Sequence, residues 1–217
     1  MNTDLARFNM IEQQIRTWEV LDQDVLSLLQ IVKREDFVPA AYRGMAFVDT
    51  QVPLPNGQSM LEPKVEARLL QELGVQRHER VLEIGTGSGY MAALLAHKAQ
   101  HVTSIEIDAD LARFGADNLK RARVMNAEVL LADASRPLAV DGPFDVIVLS
   151  GSVWEVPRSL LGQLKPGGRL VAIVGQLPIM HAVLTTRGPE SGYAHVRLFD
   201  TVAPRLAGFG EPSRFTF

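Results

Sequence analysis

The chain has no cysteine among its 217 residues. This absence excludes a disulfide framework, a zinc ribbon, an iron–sulfur site and a cysteine nucleophile. Long apolar runs are also missing, because runs such as Val146–Leu149 and Leu170–Val174 are far shorter than the roughly 20 residues of a membrane span. The first residues carry no basic stretch followed by an apolar one. We therefore predict no signal peptide and no membrane partner, and we expect a cytoplasmic protein.

A strong charge of either sign is missing as well. The formal net charge is −3, and a content of 22% charged and 47% hydrophobic residues is close to the average of globular domains. The nearest approach to a basic cluster is Lys120, Arg121 and Arg123, at the end of a predicted helix, where cations complement the helix dipole. Nucleic-acid-binding proteins usually carry a clustered basic face. We predict no nucleic-acid partner.

The first third of the chain has a helical pattern. Apolar residues recur at helical spacing over residues 4–32, and the acidic residues at positions 22 and 24 indicate the start of a second helix. Prolines and an Asn-Gly pair in residues 40–62 favour loops and short extended segments. Pro63 is typical of a first helical position and Gly74 of a helix end, so a further helix is predicted between them.

Beyond residue 80, short apolar segments alternate with helical stretches. This alternation predicts parallel strands joined by right-handed crossovers. Two segments that flank Gly188–Gly192 predict a terminal antiparallel pair. The predicted fold class is α/β, a doubly wound, mostly parallel sheet with a terminal antiparallel strand pair and an N-terminal helical annex. The predicted strands are Val81–Ile84, Val102–Glu106, Glu128–Leu131, Phe144–Leu149, Arg169–Val174, Ala182–Thr186 and Ala194–Val202, and the predicted helices are Tyr90–Lys98, Ala109–Arg121 and Pro157–Leu164.

The sharpest local feature is a set of glycines at alternate positions, Gly85, Gly87 and Gly89, between a predicted strand and a predicted helix. Glycine lets the backbone turn tightly and approach a ligand closely. Glu106 ends the next predicted strand, where a carboxylate can bind both hydroxyls of a ribose, as in dinucleotide folds. The glycines could instead serve only a tight strand-to-helix turn, but the flanking elements and the distal carboxylate together favour a nucleoside site.

Two nucleoside ligands compete for this motif. Dinucleotide-binding proteins use G-x-G-x-x-G, with the diphosphate at the helix N-terminus, whereas the spacing here is G-x-G-x-G. Glu83 precedes the first glycine by two residues, where its charge would repel a diphosphate but attract the ammonium or sulfonium group of S-adenosylmethionine. Asp133, after the third predicted strand, is placed to bind the adenine amino group. The pattern favours S-adenosylmethionine as the cofactor.

Other catalytic patterns are absent from the sequence. A nucleophile elbow needs glycines two residues before and after a serine, yet Thr86 and Tyr90 occupy these positions around Ser88. The five histidines form no H-E-x-x-H pattern and no other paired metal spacing, so we predict no metal site.

Several longer segments carry a family resemblance, namely Arg34–Pro39 with Tyr42, Ala46–Asp49, Pro53–Leu54, Gly57–Pro63, Leu82–Tyr90, Val156–Pro157 and Gln163–Leu170. Together they resemble the protein-L-isoaspartate O-methyltransferase family, a branch of the class I S-adenosylmethionine-dependent methyltransferases. The resemblance spans nearly the whole chain. The N-terminal segments and Gln58–Pro63 are specific to this family, whereas the glycine motif belongs to many methyltransferases.

The resemblance implies methyl transfer from S-adenosylmethionine to the free α-carboxylate of an isoaspartyl residue in a protein or peptide. The ester then cyclises to a succinimide, and hydrolysis returns some normal aspartate. We predict that residues 1–62 form the helical annex with a substrate-side loop and that residues 63–217 form the methyltransferase domain. The residues predicted to bind the cofactor are Glu83, Gly85, Thr86, Gly87, Ser88, Gly89, Glu106, Ile107, Asp133, Ala134 and Ser150.

The sequence departs from the family pattern on the acceptor side. The family serine thought to bind the substrate carboxylate is replaced by Leu61, which has no hydrogen-bond donor. Ser59 is one candidate replacement, because residues two apart in an extended segment share a face. Lys64 is another, because an ammonium on a flexible stem can pair with a carboxylate. The family's Gly-Asp-Gly after the third strand has become Ala132-Asp133-Ala134.

Three functions are therefore compatible with the sequence. The first, which the resemblance favours, is an isoaspartyl methyltransferase. The second is a methyltransferase that uses the same scaffold for another acceptor, because function depends on the site and not on the fold. The third is a protein that binds S-adenosylmethionine without turnover.

Overall fold

The structure is a computed structural model that describes residues 2–190 and 192–210. Its N-terminal part is helical, as predicted. Helix α1 (Thr3–Met10) continues into a π-helical turn (Ile11–Ile15) and a 3-10 turn (Arg16–Trp18), and α2 (Gln23–Ile31) follows. The predicted second start is confirmed, because the Asp22 carboxylate caps α2 by accepting from the N–H of Asp24 at 2.8 Å.

The segment from 33 to 62 consists of short elements, as predicted. It contains 3-10 turns at Arg34–Asp36, Ala40–Met45 and Pro55–Gly57, and a small antiparallel hairpin of β1 (Val52–Pro53) and β2 (Ser59–Met60). Helix α3 (Pro63–Leu73) begins at the predicted proline. It ends at Gly74, whose φ of 54° and ψ of 43° lie in the left-handed region that favours glycine.

Strands and helices alternate over residues 80–131, and four further strands with one short helix complete the fold. They are β3 (Arg80–Ile84), α4 (Tyr90–Lys98), β4 (His101–Glu106), α5 (Ala109–Arg121), β5 (Ala127–Leu131), β6 (Phe144–Val153), α6 (Arg158–Leu161), β7 (Leu164–Gln176), β8 (Ile179–Arg187) and β9 (Tyr193–Thr201). Seven strands form one sheet in the order β5-β4-β3-β6-β7-β8-β9. The pairs from β5 to β7 are parallel, and β8 pairs antiparallel with both β7 and β9. The predicted fold class and its terminal antiparallel pair are confirmed.

Buried side chains cover both faces of the sheet. Along β6, Val146 and Val148 pack with the annex and helices α3, α4 and α5, whereas Ile147 and Leu149 pack on the opposite face with α6. This alternation follows from the two-residue period of a strand. Burial on both faces explains why the parallel strands read as continuous apolar runs in the sequence.

Several predicted boundaries were wrong: β6 and β8 are longer than predicted, and the region of α6 and β7 differs most. The helix predicted over Pro157–Leu164 is limited to Arg158–Leu161, because β7 already begins at Leu164. Strand β7 is also longer than the predicted Arg169–Val174, since its first residues pair with the start of β6 before a register shift. Ser191, within the predicted turn, and residues 211–217 of the predicted methyltransferase domain lie outside the described residues.

Candidate active site

A cavity of about 240 Å³ lies at the carboxyl ends of β3, β4 and β6. After β3 the chain adds β4 and β5 along one edge of β3, and it then returns to place β6 along the opposite edge of β3. Ligands of open α/β sheets bind at such a reversal, because the loops diverge there and leave a crevice. The cavity is lined by Leu54, Asn56, Gln58, Ser59, Ile84, Gly85, Gly87, Ile105, Glu106, Ile107, Asp108, Leu111, Ala132, Ala134, Ser150, Leu206, Ala207 and Phe209.

The glycine loop between β3 and α4 contributes one wall of this cavity. Gly85 and Gly87 line it with φ values of 91° and 49°, and Gly89, with a φ of 80°, precedes the first residue of α4. A Cβ at Gly85 would lie 2.6 Å from Cδ2 of Leu206, and one at Gly89 would lie 2.9 Å from the carbonyl oxygen of Gly115. Both backbone strain and steric contact therefore require glycine here.

Glu106 ends β4 and lies at the cavity wall, almost fully buried. Its Oε2 accepts from the N–H of Gly87 at 2.9 Å, and its Oε1 accepts from the N–H groups of Ile107 at 2.9 Å and Asp108 at 3.1 Å. A carboxylate has about four acceptor sites. Three are used by the backbone, so Oε2 can accept from one further donor in the cavity. Glu106 also ties the glycine loop to the end of β4.

Glu83 lies beneath the glycine loop with no solvent exposure. Its two carboxyl oxygens accept from the hydroxyls of Ser104 and Ser150, each at 2.7 Å. Burial raises the pKa of Glu83 to about 8, against the opposing effect of these two hydrogen bonds. The carboxyl is therefore mostly protonated at neutral pH. Serine hydroxyls can donate or accept, so both protonation states find partners.

A second, smaller cavity of about 30 Å³ adjoins the first beside residues 59–61. Ser59 lines both cavities, and Leu61 lines the smaller one. The smaller cavity is also lined by Glu66, whose pKa burial raises although its partner Arg34 opposes this, and by Tyr90, whose pKa burial raises as well. Its complete lining is Leu54, Ser59, Met60, Leu61, Glu66, Glu83, Gly85, Thr86, Gly87, Ser88, Tyr90, Met91 and Ser150.

The predicted site residues fall into two groups. Most of them line one or both cavities: Ser59, Leu61, Glu83, Gly85, Thr86, Gly87, Ser88, Glu106, Ile107, Ala134 and Ser150. Among the described residues, Gly89, Asp133 and Lys64 line neither cavity. Gly89 instead forms the tight turn immediately before α4, as described above.

Asp133 and Lys64 are both bound to neighbouring residues. The Asp133 carboxylate accepts from the hydroxyl and the N–H of Ser135, at 2.6 and 3.0 Å, and these bonds lower its pKa. The Lys64 ammonium pairs with Asp49 at 2.7 Å and with Glu62 at 3.2 Å. An ammonium that is already paired with two carboxylates is poorly suited to hold a third one on a substrate.

Sequence reasoning missed the segment that follows β9. Residues 203–206 return to β6, where the N–H of Ser152 donates to the carbonyl of Pro204 at 2.7 Å and the N–H of Leu206 donates to the carbonyl of Ser152 at 2.9 Å. This course brings Leu206, Ala207 and Phe209 to the cavity. After the last strand the sequence shows only scattered apolar residues around Pro204 and Arg205, and these do not indicate where the segment packs.

In the described part of the chain, no helix is long and apolar enough to cross a membrane. The same residues contain no group of three or more His, Asp and Glu side chains that could hold a metal ion.

The fold and the cavity together define a class I S-adenosylmethionine-dependent methyltransferase. The model of the protein-L-isoaspartate(D-aspartate) O-methyltransferase family matches residues 6–196. The chain belongs to this family, and the resemblance noted in its sequence is confirmed.

Individual relatives agree with this assignment. The chain is similar to a protein-L-isoaspartate O-methyltransferase of Methanoculleus marisnigri, with 41% identity over 78% of this chain and 77% of the relative. It is 40% identical to the Rhodopseudomonas palustris protein of that name over 92% of each chain. Among solved structures, it resembles a putative protein-L-isoaspartate O-methyltransferase of Plasmodium falciparum in complex with S-adenosyl-L-homocysteine, with a TM-score of 0.79, 22% identity and coverage of 96% and 99% of the two chains. That similarity concerns the fold.

Proposed function

We propose that the protein transfers a methyl group from S-adenosylmethionine to the free α-carboxylate of an isoaspartyl residue in a protein or peptide. The observation that carries this proposal is the position of the family-specific segment Gln58–Pro63. Ser59 and Leu61 of this segment line a small cavity that adjoins the larger cavity and shares Gly85 and Gly87 with it. The family's acceptor segment and its glycine loop therefore face the same space.

The residues around the larger cavity suit the proposed cofactor. Gly85 and Gly87 let the backbone form the cavity wall, where a Cβ would lie 2.6 Å from Cδ2 of Leu206 or 3.2 Å from Cδ1 of Leu54, and Oε2 of Glu106 can accept from a ribose hydroxyl. Ile107 and Ala134 add apolar surface that can pack on a purine, and Ser150 with Glu83 lies toward the smaller cavity. S-adenosylmethionine supplies an activated methyl group on a sulfonium, which leaves as a neutral thioether.

The acceptor side of the reaction needs orientation more than proton transfer. The attacking carboxylate is ionised at neutral pH, so no general base has to remove a proton. Holding the nucleophile in line with the methyl carbon can supply several kcal/mol of the barrier reduction. We assign this role to the segment Ser59–Leu61. The Ser59 hydroxyl is the side-chain donor there, at present 3.4 Å from the amide oxygen of Gln51. The annex and loop of residues 1–62 then supply the acceptor side, and the domain that follows supplies the cofactor side.

The test is methyl transfer from radiolabelled S-adenosylmethionine to an isoaspartyl peptide, with the same peptide carrying normal aspartate as the control. We expect base-labile label on the isoaspartyl peptide only. Binding of S-adenosylhomocysteine without any labelling of this peptide would overturn the isoaspartyl assignment. Labelling of proteins in a cell extract would then indicate a different acceptor, and no labelling at all would indicate a binding protein without turnover.

A further inference from the structure

A buried arginine connects the acceptor segment with the body of the protein. Arg34 has no solvent exposure, and its guanidinium pairs with the carboxylate of Glu66 on α3. Its second terminal nitrogen, Nη2, donates to the backbone carbonyl of Leu61 at 2.8 Å. The guanidinium carbon also lies 5.2 Å from the ring centre of Tyr90, the first residue of α4. One side chain thus contacts the acceptor segment, α3 and the helix that follows the glycine loop.

These contacts restrict where residues 59–61 can lie. The guanidinium is planar and presents its N–H groups in fixed directions, so the pair with Glu66 also fixes the direction of the bond to Leu61. A hydrogen bond from a charged donor is about twice as strong as a neutral one. The Leu61 carbonyl can therefore not move without losing a strong, buried interaction. Ser59 and Leu61 line the smaller cavity, so the position of this carbonyl also sets the position of their side chains.

We propose that Arg34 is a positioning residue for the methyl acceptor: its bond to the Leu61 carbonyl holds the acceptor segment at the correct distance from the cofactor cavity, and Glu66 neutralises the buried charge. This proposal rests on the proposed function, because it takes residues 59–61 as the acceptor side. It concerns the main chain of the segment and is independent of which side chain contacts the substrate.

The annex contains a second buried ion pair that serves as a matched control. The Arg7 guanidinium, only 3% exposed, pairs with Glu35 and also with Asp4 at 3.0 Å. Among the described residues, neither Arg7 nor its two partners line either cavity. The same substitution at Arg7 and at Arg34 therefore separates loss of a buried arginine contact from loss of positioning.

The central experiment compares Arg34→Lys with Arg7→Lys. Lysine keeps the charge opposite the carboxylate but cannot donate in two fixed directions at once. For Arg34→Lys we expect the KM for the isoaspartyl peptide to rise about tenfold, or kcat to fall by a similar factor, since one charge-assisted bond is lost. The Kd for S-adenosylhomocysteine should stay within about twofold. Arg7→Lys should leave all three constants unchanged, even where it lowers the melting temperature.

If Arg34→Lys does not fold, the pair Arg34→Met with Glu66→Leu removes both charges together, which buried ion pairs often tolerate. This double variant should show the same rise in KM as Arg34→Lys.

Two results would overturn the proposal. One is an Arg34→Lys enzyme with the peptide constants of the wild type. The other is that the Arg7 and Arg34 variants lose activity to the same extent for a given decrease in melting temperature, because destabilisation alone would then explain the loss. Hydrogen exchange of the amides of residues 59–62 distinguishes failure of the positioning proposal from failure of the proposed function. Exchange should be faster in Arg34→Lys than in Arg7→Lys even when the wild-type protein does not methylate the peptide, and equal exchange would also refute the positioning role.

Discussion

Replacing Glu83 with glutamine should have opposite effects on stability and on cofactor binding. With a pKa of about 8 in the folded protein and about 4.5 when unfolded, the carboxyl binds more protons in the folded state between these two values. The stability of the ligand-free protein should therefore decrease as the pH rises from about 4.5 to 8, by up to about 1.4 kcal/mol per pH unit. Glutamine is neutral throughout and can bond to both Ser104 and Ser150.

The expected difference is large enough to measure by thermal unfolding. Between pH 5.5 and 7.5 the wild-type protein should lose of the order of 3 kcal/mol relative to Glu83→Gln. In a chain of this size, the melting temperature of the variant minus that of the wild type should therefore increase by several degrees between these two pH values. The two proteins should be most similar at or below about pH 4.5, where the wild-type carboxyl is protonated in both states, and at pH 7.5 the variant should melt at the higher temperature.

The ligand-free protein favours the protonated carboxyl of Glu83, and binding of a cationic ligand should instead favour the ionised form. A cation close to Glu83 favours the ionised carboxyl, so complex formation at pH 7 should release close to one proton, because roughly 90% of this carboxyl is protonated beforehand. The affinity for S-adenosylmethionine should then rise up to about tenfold per pH unit below pH 8. Titration calorimetry at pH 7 in two buffers with different ionisation enthalpies measures the proton directly.

Three comparisons make this test decisive. Glu83→Gln should abolish the proton release, whereas Glu66→Gln should retain it. A larger loss of affinity for S-adenosylmethionine than for the uncharged sulfide would show that Glu83 senses the sulfonium, and equal losses would point to the amino group that both ligands carry. If wild-type binding releases no proton and its affinity has the same pH dependence as that of Glu83→Gln, the argument from burial is refuted.

Three further substitutions test other parts of the site. Glu106→Ala should weaken S-adenosylmethionine binding by more than about 1 kcal/mol, because it removes a charged acceptor and frees the N–H of Gly87; equal calorimetric affinities would refute this assignment. Leu61→Ser should raise the initial rate of isoaspartyl methylation by about tenfold, the equivalent of 1.4 kcal/mol, by restoring a donor to the acceptor segment; an unchanged rate with intact cofactor binding would indicate another acceptor. Lys64→Ala should leave the KM for the peptide within about twofold, since Lys64 is paired with Asp49 and Glu62; a large rise in KM would show that Lys64 leaves these partners to bind substrate.

The sequence by itself determined the order of the elements and the class of the protein. Glycine at 85, 87 and 89, the carboxyls of Glu83 and Glu106, and apolar runs buried on both faces of a sheet are local signals. These signals depend on local backbone conformation or on the residue period of a single element, and residues close together in the sequence determine both properties. Even so, the helix predicted to end at Leu164 was too long, because strand pairing with β6 overrides local preference there.

Only the tertiary structure decided which side chains face the same space. It brings Leu206 to the cavity from beyond the last strand, and it pairs Lys64 with Asp49 and Glu62. It also buries Arg34 between Glu66 and the Leu61 carbonyl, 32 and 27 residues further along the chain. Contacts over such separations depend on the packing of whole elements, and burial, which sets the pKa of Glu83, depends on that packing too. No local pattern in the sequence carries this information.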